Sequence, residues 1–262
     1  MIMIVLRLGC QHCMARFRPD FLGLGVQKGG TTSLDAMLRQ HPDVLLPDRK
    51  ELQFFSLHYN LGEAWYGGQF AAAQPGQCCG EITPYYLFHP LAPARIRDLL
   101  PEVKLIVLLR DPVERALSQL FHSKRLGVEP LEPEQALLAE VQRLRDAEAV
   151  IAAGGRHRSH QEHSYVARSR YELQLARYEA LFPADQMLLL RSEAFFDDPN
   201  RVWQRLLNFL NLKPVPVPVL PRANAGRNEA NALSAKLRQQ LKQHLRLTYA
   251  QMKQRYGLVW PL

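Results

Sequence analysis

The stretch "FLGLGVQKGGTTSL" (21–34) constrains the fold most. "DFLGLGV" (20–26) reads as a buried strand, and "TTSLDAMLRQH" (31–41) reads as a helix. Between them lies a turn rich in glycine. A buried strand that feeds a helix through so short a turn is the opening of a βαβ unit, and such units build parallel sheets with helices on both faces.

The rest of the chain continues that alternation. "CCGEIT" (78–83), "VKLIVLLR" (103–110) and "QMLLLR" (186–191) read as further strands. Helices are predicted over 93–100, 112–125, 133–152, 165–182 and 199–210, with Pro112 in a first turn, where a missing N–H costs nothing. "KPVPVPVLP" (213–221) must be extended, because alternating prolines exclude helix. Leu233, Leu237, Leu241 and Leu245 form one stripe of a long closing amphipathic helix. The expectation is an α/β fold, a P-loop three-layer α/β/α sandwich with a mainly parallel central sheet. It forms a single domain over 16–262, preceded by a loose extension at 1–15. Ligands of such sheets bind at the carboxyl ends of the strands.

The 262 residues suffice for one core. The net charge of +8 and pI near 9.5 favour anionic partners. The basic residues are scattered, without the single stripe that nucleic acid would need. Cys10, Cys13, Cys78 and Cys79 form no disulfide framework and suit a reducing, cytoplasmic compartment. "MIMIVLRLGC" lacks the order of a signal peptide, and no stretch is long enough to span a bilayer. Stable membrane insertion is not expected, and oligomeric state is left open.

The turn is suited to an anion. Gly25, Gly29 and Gly30 allow close backbone approach, and Thr31, Thr32 and Ser33 carry hydroxyl donors at a helix N-terminus, where the dipole adds positive character. A triphosphate loop reads G-x-x-x-x-G-K-S/T. Here Lys28 precedes the glycine pair, and no acidic partner for magnesium stands on a later strand. A turn that only packs a helix on a sheet is the competing reading, and the Lys-Gly-Gly-Thr-Thr cluster argues against it.

"FLGLGVQKGGTTSLDAMLRQHPDV" resembles the opening of the 3′-phosphoadenosine 5′-phosphosulfate (PAPS)-dependent sulfotransferases, above all the heparan sulfate branch and its bacterial relatives. Four more stretches share the resemblance: "KELQFFSLHYNLGEAWYGGQF", "GEITPYY", "VKLIVLLRDPVERALSQLFH" and "NAGR". It implies sulfuryl transfer from PAPS, with adenosine 3′,5′-bisphosphate (PAP) as product, no metal, and a small-molecule or glycan acceptor. Lys28 would stabilise the leaving group and Glu51 would be the base, with His122 as a second candidate. Gly29, Gly30, Thr31, Thr32 and Ser33 would hold the 5′-phosphosulfate. Arg110, Ser118, Gly226 and Arg227 would hold the 3′-phosphate side. Ser118 and His122 are four apart on one helix face, with Arg115 expected nearby.

The chain departs from the family in "GEITPYY", where Ile82 replaces a lysine after Glu81. That change removes an expected cation from the acceptor side, and Glu81 is left as an acid that could face the acceptor. "GGRHRSHQEHSY" (154–165), with His157, His160 and His163, reads as a mobile basic loop at the acceptor mouth and not as a metal site. Trp65, Tyr66, Tyr85 and Tyr86 are split between core packing and stacking on an acceptor. The competing functions are a P-loop kinase and a non-catalytic nucleotide-binding protein on the same fold.

Overall fold

A computed structural model describes residues 18–219 and 235–260. Five strands form the sheet: β1 (Phe21–Gly25), β2 (Val44–Leu45), β3 (Cys78–Ile82), β4 (Lys104–Leu109) and β5 (Met187–Arg191). Their spatial order is β2-β3-β1-β4-β5, and every pairing is parallel. After β1 the chain fills one side, going first to the edge strand β2 and then back to β3, and then builds outward on the other side through β4 and β5. The reversal point is therefore the carboxyl end of β1, where the glycine turn lies, and this is where an open α/β sheet forms its crevice.

Strand parity divides the core into two layers. Leu105, Val107 and Leu109 join Leu22 and Leu24 on one face. There they pack on Ile96 and Leu99 of helix Ala92–Leu99 and on Tyr171, Leu175 and Tyr178 of helix Tyr171–Glu179. Ile106 and Leu108 face the other way, onto Leu34, Met37 and Leu38 of helix Thr31–Leu38 and Trp203, Leu206 and Leu207 of helix Pro199–Leu210. This is period-2 alternation in a strand buried on both sides, which is why the sequence shows only a continuous apolar run. Cys78 and Cys79, adjacent on β3, pack into opposite layers, and both are free thiols.

Sequence signals fix several element ends. Asp111 caps helix Pro112–Arg125 by accepting from the Glu114 N–H at 2.9 Å, and Asp198 caps the 199–210 helix in the same way from Arg201 at 3.1 Å. Elsewhere the structure corrects the expectation. The predicted helix over 133–152 is two helices, Pro133–Arg143 and Ala147–Ala152. The closing helix is also two, Ala235–His244 and Arg246–Tyr256, and Leu237, Leu241 and Leu245 are buried as the stripe requires. The segment 154–165 contains helix Arg158–Glu162, with His160 and His163 buried, so it is not an open loop. His160 stacks on Phe88 at 4.2 Å and hydrogen-bonds the Tyr85 hydroxyl at 2.7 Å, aromatic packing that basic composition alone does not signal. Strand β2 and the short helices Gly62–Gly68 and Ser192–Asp197 went unpredicted.

Trp203 ties the second layer to the proline-rich strap. It is 1% exposed, and its indole N–H donates to the Val215 carbonyl at 3.0 Å. Trp203→Ala should lower unfolding stability by about 3–5 kcal/mol in urea titration, the usual cost of emptying an aromatic site; a loss under about 1 kcal/mol would show that this layer is not part of the cooperative core.

Candidate active site

The glycine turn is held from two strands. Arg110, at the end of β4, donates from Nη1 to the Lys28 carbonyl at 3.3 Å. Ser192, at the end of β5, donates its hydroxyl to the Gly29 carbonyl at 2.8 Å. Position 29 must be glycine: a Cβ there would lie 2.7 Å from Val26 Cγ2 and 2.8 Å from the Leu108 carbonyl oxygen. Gly30 takes φ of 94° at the N-cap of helix 31–38, a left-handed conformation open to glycine, and no side chain caps that helix. The first N–H groups of this helix therefore face the turn without a capping side chain.

Cations converge on this turn. Burial pushes the Lys28 ammonium below its ordinary pKa, and the Arg125 and Arg110 guanidinium groups push it the same way. His122 is also lowered, by burial first and then by Lys28 and Arg125. Lys28, Arg110 and His122 thus form the one cluster that was expected of them. Ser118 and His122 are half-buried on one face of helix 112–125, as their spacing predicts. Arg115 lies on the same side by its spacing, but it is fully buried, donating to Ser169 Oγ at 2.6 Å, to Gln119 Oε1 at 2.7 Å and to the Tyr165 carbonyl, so its guanidinium is engaged by the 165–169 segment. Thr31 and Ser33 are buried, whereas Thr32 is exposed. Gly226 and Arg227 lie outside the described residues.

Glu51 faces the same region from the other wall. It does not pair with Lys50, whose ammonium donates instead to Thr32 Oγ1 at 2.7 Å and so reaches the turn itself. Burial raises the Glu51 pKa; Lys50, a Gln53 hydrogen bond and Arg168 act against that rise, and Asp35 adds to it. Glu51 and Gln53 both have left-handed backbone, φ 56° and 57°, and Lys28 is at 69°. Such conformations cost a non-glycine residue on the order of 1 kcal/mol and persist only where surroundings impose them.

What imposes them at 51–53 is Glu81. It is 2% exposed and accepts from Tyr66 OH at 3.0 Å, Tyr86 OH at 2.7 Å and Thr83 Oγ1 at 2.7 Å, and also from the Leu52 N–H. Thr83 Oγ1 accepts from the Gln53 N–H, and Tyr86 OH accepts from the Phe55 N–H, both at 3.4 Å. Glu81 is therefore an anchor for the Glu51 segment and does not face an acceptor. Ile82 points the other way, 2% exposed beneath Gly23, whose added Cβ would lie 2.8 Å from it. The residue after Glu81 thus lies in the opposite layer by strand parity, so its change to an apolar side chain removes no cation from the acceptor side. Tyr66, Tyr85 and Tyr86 are buried, which leaves Trp65, stacked on Phe54 at 6.2 Å, as the half-buried aromatic of the four.

Sequence reading missed Arg168, Gln27, Lys50, Arg125 and Ser192. Arg168 is 2% exposed and bridges from the turn to helix 158–162, through Gln27 Oε1 and the carbonyls of His160 at 2.9 Å and Gln161 at 2.8 Å. Nothing in its local spacing marks it. Among the described residues, no group of three or more His, Cys, Asp or Glu is placed to hold a metal ion. Also among them, no helix is long and apolar enough to cross a membrane.

Glu81→Gln should cost about 1–3 kcal/mol of stability, since an amide cannot accept from all four donors. It should also speed amide exchange at Leu52, Gln53 and Phe55. Unchanged exchange there would separate Glu81 from the Glu51 segment.

A sequence model of the sulfotransferase domain family matches residues 18–255. Heparan sulfate glucosamine 3-O-sulfotransferase 6 of Mus musculus is 34% identical over 197 residues, covering 75% of this chain and 53% of the mouse protein. Membrane-associated sulfotransferase kil1 of Dictyostelium discoideum is 40% identical over 121 residues, 44% of this chain and 26% of its own. The chain thus spans about half the length, or less, of these relatives. The crystal structure of a sulfotransferase from Alicyclobacillus acidocaldarius superposes with a TM-score of 0.72 at 28% identity, covering 90% of this chain and 94% of that one. With the domain matched almost end to end and the fold shared, the chain belongs to the sulfotransferase family.

Proposed function

We propose that this protein transfers a sulfuryl group from PAPS to a hydroxyl or amine of a carbohydrate-like or small-molecule acceptor, with Glu51 as the base. The observation that carries this reading is the convergence of Lys28, Arg110, His122 and Arg125 on a glycine turn held from two strands, with the half-buried Glu51 next to Lys50, whose ammonium reaches the turn at Thr32. The donor fits that turn. Its N–H groups and cations suit the 5′-phosphosulfate, and position 29 leaves no room even for a methyl group. The donor supplies the sulfuryl group, and PAP carries away the charge of the broken sulfur–oxygen bond.

The residues then divide the work. Lys28 stabilises negative charge on the oxygen between phosphate and sulfate, an electrostatic role that needs the ammonium in place beforehand. Glu51 takes the acceptor proton as the acceptor oxygen or nitrogen bonds to sulfur. His122, kept neutral by burial and its cationic neighbours, can orient the acceptor by hydrogen bonding. Arg110 and Ser118 grip the 3′-phosphate, with a guanidinium suited to two phosphate oxygens at once. Gly226 and Arg227 are assigned to the same side by family resemblance alone. The domain occupies 16–262, and the free thiols Cys78 and Cys79 fit a reducing, cytoplasmic setting.

Calorimetry without magnesium tests the nucleotide assignment. PAP should bind tightly and ATP poorly, and Arg110→Ala should erase most of that preference; preference for ATP would favour a kinase. Lys28→Ala should lower kcat by about 10²–10³, as for loss of one oxyanion donor. Glu51→Gln should lower it by about 10²–10⁴, while His122→Ala costs less. The base must be ionised, and burial raises the Glu51 pKa, so the acid limb of kcat/KM should lie above the ordinary carboxylate range and vanish in Glu51→Gln. Normal turnover in that variant would remove Glu51 from the role.

A further inference from the structure

A cleft of about 340 Å³ is lined by Ser56 and Leu57, a few residues after Glu51, and none of its lining residues belongs to the glycine turn. Its volume is at the small end of ligand sites, which begin at about 300 Å³. Ser56, Tyr59, Asn60, His89, Arg95 and Arg156 supply its polar walls, and no carboxylate lines it.

The two guanidinium groups are positioned by the main chain. Arg95 Nη1 donates to the carbonyls of Phe55 at 2.9 Å and Ser56 at 3.3 Å. Arg156 Nη2 donates to the next carbonyl, Leu57, at 2.7 Å. Three consecutive carbonyls thus draw both heads to one turn. Arg95 is further fixed flat over the Tyr59 ring, 4.5 Å from its centroid. Each guanidinium has five N–H donors, so neither is exhausted by these bonds.

His89 completes the wall. It is 4% exposed, packs edge-on against Tyr85 at 5.3 Å, and its Nδ1 is buried without a hydrogen-bond partner. A buried polar atom left unpaired is costly. Burial and the charges of Arg95 and Arg177 hold its pKa at about 4, so the ring stays neutral and the cleft keeps its positive field from arginine. Two preset guanidinium groups, a neutral imidazole, hydroxyls and an amide, with no acid among them, match an oxyanion attached to a small polar body.

We propose that this cleft is a second binding site, separate from the nucleotide turn, for a sulfate or carboxylate borne on a monosaccharide-sized group. Its wall connects to the base. Ser56 Oγ donates to Gln53 Oε1 at 2.7 Å, and Gln53 Nε2 reaches Glu51 Oε2 at 3.5 Å. If the sulfotransferase reading holds, the cleft would take an anionic unit of the acceptor beside the one that is modified.

The test is calorimetric titration of the whole chain, with the turn filled by saturating PAP. The probes are glucuronate, glucose 6-sulfate, inorganic sulfate and glucose. Either charged sugar, or both, should bind and glucose should not. Arg156→Ala, an exposed position whose melting temperature should not move, should weaken charged-sugar binding about tenfold, the value of one charge-assisted hydrogen bond. His89→Phe should weaken it as well. Inorganic sulfate binding as tightly as glucose 6-sulfate would support the site with the bare oxyanion as its ligand; weaker binding would support it with the sugar-borne group. Glucose binding as well as the charged sugars, or affinity unmoved in both variants, would overturn the proposal. If PAP does not bind, the sulfonucleotide reading fails while Arg156→Ala still reports on the cleft. If PAP binds and neither charged sugar does, the cleft proposal alone fails.

Discussion

Two main-chain carbonyls, those of Lys28 and Gly29, are held by side chains from the ends of β4 and β5. The rest of the site depends on this. A glycine turn on its own is a flexible segment, and a flexible segment must lose entropy each time it binds an anion. Arg110 and Ser192 fix the shape of the turn, which lowers that cost for any anion it holds. Arg110 is itself fixed from behind: Tyr171 donates to its carbonyl at 2.9 Å, and the next residue, Asp111, accepts from Tyr249 and donates its N–H to Glu193. The C-terminal helix thus supports the corner around Arg110 from a distance. Trp260 extends that support, donating its indole N–H to the same Glu193 at 2.8 Å.

The opposite wall solves a different problem. Burial raises the Glu51 pKa, and Lys50 opposes that rise while its ammonium donates to Thr32. The backbone at Glu51 and Gln53 is bent into left-handed conformations. Glu81, with its hydroxyl partners, holds that bend. Of the four non-glycine residues with positive φ among those described, Lys28, Glu51 and Gln53 lie at the site, and the fourth, Asn211, ends a helix. Backbone strain is thus concentrated where the chemistry is proposed to occur.

Local signals in the chain foretold much of this. The boundaries of helices 112–125 and 199–210 follow from Asp-Pro caps, and the strand–turn–helix unit at 21–38 follows from an apolar run ending in glycine. Lys28 and Arg110 were readable as site candidates because they follow the carboxyl ends of β1 and β4, and His122 because it stands four residues after Ser118 on one face of helix 112–125. Arg115 falls on the side its spacing requires, but spacing alone does not say that its side chain is buried. Glu81 was misjudged for a related reason: its four partners come from positions 52, 66, 83 and 86, and no window of sequence unites them.

The sequence by itself determined the parallel α/β architecture, the glycine turn after β1 and the positions of Lys28 and Arg110 beside it, because these rest on periodicity, glycine's backbone freedom and strand-end position, all local properties. Only the tertiary structure decided that Arg168 reaches Gln27 and that Arg95 and Arg156 share one cleft with His89. Those arrangements join residues tens of positions apart. They arise from how packed layers bring side chains into register, and that depends on the whole core.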